Sequence, residues 1–139
     1  MASWRDRVSE PAQEDLDGLL DTALTLAEGR LETTGAFTPF ALVVKVNGVT
    51  DMVALPPMTA RQAQQMSYEV LGGMRAEIRA AAVVLGSALP ESGAEAIDVF
   101  LEHAEGIALN VLEPYRLDDD GDVVTDGLEA HTVRRRIWN

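Results

Sequence analysis

Cysteine is absent from the 139 residues, which removes disulfides, thiolate nucleophiles and cysteine-ligated metals. Histidine is nearly absent. His103 and His131 are the only two, too few for a histidine-rich metal centre within one chain. Basic residues are scarce as well: 11 Lys and Arg face 23 Asp and Glu, for a net charge of −12. A surface of that sign repels phosphate backbones and anionic lipid heads before contact, so neither nucleic acid nor a membrane is an expected partner. No apolar run approaches the length of a membrane span. The opening Met-Ala-Ser-Trp-Arg-Asp-Arg is followed by no apolar core, so no secretory leader is expected and a cytoplasmic location is. Also missing are a phosphate loop ending in Gly-Lys-Ser/Thr, a Gly-x-Ser-x-Gly elbow and His-Glu-x-x-His.

What is present suits one domain over residues 1–139, with 47% hydrophobic residues in 15.0 kDa. Residues 1–9 read as a frayed arm. Ser9-Glu10-Pro11 then supplies a hydroxyl cap and a first-turn proline. Leu16, Leu19, Leu20, Ala23, Ala27 and Leu31 follow on one helical face, and Gly35 closes the helix after Thr34. Two β-branched runs, Phe40 to Val46 and Val49 to Leu55, flank Asn47-Gly48. This predicts a hairpin with a two-residue turn that pairs Val44 with Asp51 and Leu42 with Val53. Its second face is only half polar, so a second helix or another subunit is expected to cover it.

Pro56-Pro57 ends the hairpin, and Thr59 to Gln62 forms a capping box for a second helix whose stripe is Ala63, Met66, Val70 and Met74. Downstream, alanine content and Ser92 to Glu95 would allow helices. The Val83-Val84-Leu85 run and the turn-like Glu105-Gly106 favour strands instead. In the strand reading Ile97 to Ala104 pairs with Ile107 to Pro114. The tail His131 to Trp138 reads as a final strand or an arm. The expected architecture is α+β: an antiparallel sheet of about five strands with two main helices, in the order α-β-β-α-β-β-β.

Three local stretches, Gly35 to Ala41, Arg79 to Val84, and Glu102 to Ala108 leading to Pro114-Tyr115, resemble a group of uncharacterised bacterial proteins, many from actinobacteria. The similarity runs from the first helix to Tyr115. It implies strands after the second helix and carries no activity.

Four constellations bear on chemistry. Glu102-His103 offers a carboxylate and an imidazole that titrates near neutrality. Neighbours on a strand point to opposite faces, which favours a structural histidine. Asp98, Glu102 and Glu113 fall on one predicted face, with Asp98 directly opposite Glu113, a costly like-charge pair. Residues 98 and 102 lie roughly 13 Å apart at strand rise, too far to clasp one ion. Asp118, Asp120, Asp122, Asp126 and Glu129 match the ligand spacing of a calcium loop, with Val123 where its glycine should be. A plain turn at Asp120-Gly121 is preferred. Arg134-Arg135-Arg136 is the sole basic cluster, read chiefly as neutralising the chain's own acids.

The functional expectation is a non-catalytic binding or interaction module, with a regulatory role open, no cofactor, and a partner that is another protein or a second copy in a homodimer. The alternative is a small metal-dependent or carboxylate/histidine hydrolase built on Glu102, His103 and Asp98 with the aspartate loop. A third possibility, a small-ligand carrier, requires an apolar cavity.

Overall fold

Helix α1, Glu10–Thr34, starts where Ser9 Oγ accepts the Ala12 N–H and stops where Gly35 turns left-handed at φ 81°. Its buried residues, Ala12, Leu16, Leu19, Ala23, Ala27 and Leu31, form one stripe against the sheet's first face. The computed structural model describes residues 3–56, 58–88, 93–125 and 127–138; Pro57, Ser92 and Asp126, which entered the sequence reading, lie outside them. The expected frayed arm is corrected from Trp4 onward. Trp4–Arg7 is a 3-10 turn, Trp4 packs against the core, and Arg5 grips Asp17 with two bonds of 2.8 Å.

The strands are β1 (Phe40–Lys45), β2 (Thr50–Ala54), β3 (Ile78–Ala88), β4 (Glu95–His103), β5 (Ile107–Leu117), β6 (Val123–Thr125) and β7 (Glu129–Thr132). All pairings are antiparallel, in the order β2-β1-β3-β4-β5-β6. β7 pairs with β5 along the edge that β6 occupies further on. The α+β class holds. The sheet has seven strands among the described residues rather than five, because the tail returns twice to β5.

Both hairpin registers differ by one residue from the sequence-based pairing. Val44 faces Thr50 and Leu42 faces Met52, and Asp98 faces Leu112 rather than Glu113. The reason is the same in each. The loops hold three residues, Val46-Asn47-Gly48 and Ala104-Glu105-Gly106, and end on glycines at φ 90° and 109°. The Gly48 N–H donates to Lys45 O and the Gly106 N–H to His103 O. A glycine in that conformation closes a type I turn with a bulge.

Helix α2, Ala60–Gly73, opens with the predicted Thr59/Gln62 capping box. Its buried stripe is Ala63, Ser67 and Leu71; Met66 and Val70 face outward. Ser67 fits inside because its hydroxyl donates to Ala63 O at 2.7 Å. The sheet therefore has two cores. Phe40, Leu42, Val44, Ala82, Val99, Leu101 and Leu109 meet α1. Ala41, Val43, Val83 and Phe100 meet α2 and, from the C-terminal segment, Ile137. With both faces covered, β1 and β3 are apolar almost throughout, and this burial overrides the helix propensity of Ala80-Ala81-Ala82.

Candidate functional site

Glu102 and His103 are not brought together. Strand alternation sends Glu102 to the α2 face and His103 to the α1 face, and each is held by neighbours of its own. Glu102 is fully buried and accepts the backbone N–H groups of Arg136, Ile137 and Trp138 at 2.7, 2.9 and 2.8 Å. Residues 133–138 form a strap pinned by this carboxylate. The His103 Nδ1 accepts the Glu105 N–H at 3.1 Å, which places the ring proton on Nε2, 3.0 Å from Asp15 Oδ2. Asp15 also takes a two-pronged bond from Arg79. Glu105 in turn accepts both the N–H and the hydroxyl of Ser9, which lowers its pKa. The network ties the N-terminus of α1 to the β4–β5 turn.

The aspartate loop is a five-residue connection between β5 and β6, without the preceding helix of an EF-hand. Asp118 Oδ1 accepts the N–H groups of Asp120 and Asp122, each at 2.9 Å. The three carboxylates lie within 4.8 Å of one another. Glu129 does not join them, a correction: it stands in β7 opposite Leu112, roughly 20 Å along β5 from Asp118 at strand rise.

Glu113, shifted by the true register to the α1 face, meets Glu28 there. Burial first, and then the hydrogen bond and charge of Glu28, push its pKa up to about 8. Its Oε1 is buried without a hydrogen-bond partner among the described residues. Two carboxylates so placed share a proton.

The opposite end of the β5 edge is different in sign. Arg7, Arg134 and Arg135 line a groove of about 440 Å³ together with Gly106, Ile107 and Thr132. None of the three forms an ion pair among the described residues, contrary to the self-neutralising role read for the cluster. Gly106 lets Arg135 lie close, its Nη1 3.4 Å from where a Cβ would stand. Across the strap, a second pocket of about 160 Å³ gathers Gln64, Tyr68, Asp98, Asn110, Arg134 and Arg136. Asp98 is the one weighed carboxylate that enters it. Asn110 carried a signal, an amide amid apolar strand residues. Gln64 and Tyr68 carried none, since helix packing alone brings them there. Under Trp4, an apolar cleft of about 190 Å³ runs between Leu20, Leu109 and Leu128.

Comparison with protein-family models, curated proteins and solved structures finds no match for this chain. No helix of the described residues is long and apolar enough to cross a membrane.

Proposed function

We propose that this chain is a non-catalytic binding module whose partner protein presents an acidic segment to the arginine-lined groove beside the strap. The observation that carries the reading is an inversion of charge. A chain of net charge −12 leaves Arg7, Arg134 and Arg135 without ion pairs among the described residues and collects them on one groove. Guanidinium forks recognise carboxylates in pairs of parallel bonds. The acidic remainder of the surface disfavours a long polyanion, so a short carboxylate-bearing peptide fits better than nucleic acid. The structural employment of Glu102 and His103 supports the non-catalytic half of the reading.

The test is titration of a labelled Asp/Glu-rich peptide into the full chain. Binding should be measurable at low salt and weaken as salt is added, and the double variant Arg134→Ala/Arg135→Ala should bind roughly tenfold or more weakly. Unchanged binding by that variant, or equal binding of a single-stranded DNA of similar charge, would overturn the reading. Concentration-dependent dimerisation lost in the same variant would identify the acidic segment as one belonging to a second copy. A second reading, a carrier of a small apolar ligand, draws on the cleft beneath Trp4; Trp fluorescence during titration with an apolar dye tests it.

A further inference from the structure

The pocket between α2 and the strap differs from the groove in having both signs of charge. Its aromatic side is Tyr68 set edge-on against Phe100, with centroids 5.3 Å apart. Asp98 projects from the α2 face of β4, where its Oδ1 accepts the Asn110 amide at 2.6 Å. Its Oδ2 receives no hydrogen bond among the described residues. Burial raises the pKa of Asp98, and the Asn110 bond only partly opposes this. A carboxylate in that condition gains from a donor, best a cationic one. At the rim stand Arg134 and Arg136, neither in an ion pair among the described residues. Arg136 lies 6.0 Å above the Tyr68 ring, its backbone fixed by Glu102. The pocket's 160 Å³ holds about five waters at roughly 30 Å³ each, enough for an amino acid with a small side chain.

We propose that this pocket binds a small zwitterion, an α-amino acid or close analogue, with its ammonium on Asp98 and its carboxylate on Arg134 and Arg136. The anchors are fixed in advance: Asn110 orients Asp98, and the Glu102 staple holds the backbone that carries Arg136. The site is separate from the acidic-segment groove, although Arg134 borders both.

Calorimetric titration of the full chain with L-alanine tests the assignment, with ethylamine and acetate as one-ended controls. Alanine should bind, and each control should bind at least roughly tenfold more weakly, because each forgoes one charge-assisted contact. Asp98→Asn preserves shape and a hydrogen bond to Asn110; it should weaken alanine binding by a similar factor while leaving acidic-peptide binding intact. Arg135→Ala should do the converse, so the two sites fail separately. Should Asp98→Asn fail to fold, Arg136→Ala gives the same readout without touching the backbone N–H on Glu102. Absence of alanine binding, wild-type affinity in Asp98→Asn, or acetate binding as tight as alanine would each overturn the proposal.

Discussion

Two glutamates show how much one position depends on what faces it. The Glu102 carboxylate is fully enclosed, and it supplies the acceptors for three successive strap N–H groups. Replacing one oxygen by an amide sets donor against donor, so Glu102→Gln should cost about 3 kcal/mol in chemical denaturation. The strap amides of residues 136–138 should lose hydrogen-exchange protection with it; intact protection would show that packing of Ile137 suffices. Glu113 behaves oppositely, because its site favours the protonated form. Its native pKa of about 8 stands above the ordinary 4.5, so the native state keeps a proton that the unfolded chain releases between those values. Stability from this group therefore falls as pH rises through that window and levels off above it. Glu113→Gln mimics the protonated acid. It should match the wild type near pH 4 and exceed it above pH 9 by about 2–4 kcal/mol, the roughly 5 kcal/mol of the full shift from 4.5 to about 8 being reduced by solvent screening. Parallel stability curves for the two proteins would refute the shared-proton account.

At the level of elements, the hairpins were legible and their registers were not. Asn47-Gly48 and Glu105-Gly106 each announce a turn, but a dipeptide does not say whether the residue before it belongs to the strand or to the loop. In both turns it belongs to the loop, and each slip exchanges the faces of the following strand. One clue was present. The register that sets Asp98 against Glu113 is electrostatically poor, and the true one replaces that pair with Asp98 beside Asn110. The stripe of α2 was missed for a related reason, since Met66 and Val70 outrank Ser67 in hydrophobicity although Ser67 is the buried one, its hydroxyl satisfied by Ala63 O. Glycines at φ 90° and 109° make the turn chemistry testable. Gly48→Ala and Gly106→Ala should each cost about 1–3 kcal/mol in thermal or urea unfolding. The two losses should be similar and come from the backbone, since the added Cβ would meet only the tip of an arginine side chain in each turn, Arg135 at 3.4 Å and Arg79 at 3.7 Å. Negligible losses would mean the loops relax into two-residue turns.

The molecule as a whole keeps its charges unevenly, and that separates two responses to salt. The second face anticipated as half-covered in the first hairpin is closed only in part within the chain: Ala41 and Val43 are buried in the core beneath α2, while β2 is exposed along most of its length. What remains outside is strongly acidic. The ion pairs Arg5–Asp17 and Lys45–Asp51 are about half exposed, so solvent screening leaves each a small contribution. Repulsion among 23 acids acts over the Debye length, which shrinks to about 8 Å at 0.15 M salt. The melting temperature should therefore rise between low and physiological salt, as screening relieves self-repulsion faster than it weakens those pairs. Acidic-peptide affinity should fall over the same range, because that contact is attractive. The two slopes have opposite signs for one physical reason. A melting temperature that drops with salt would mean the arginines are engaged with the chain's own carboxylates in solution, and the groove would then have no free charge to offer a partner.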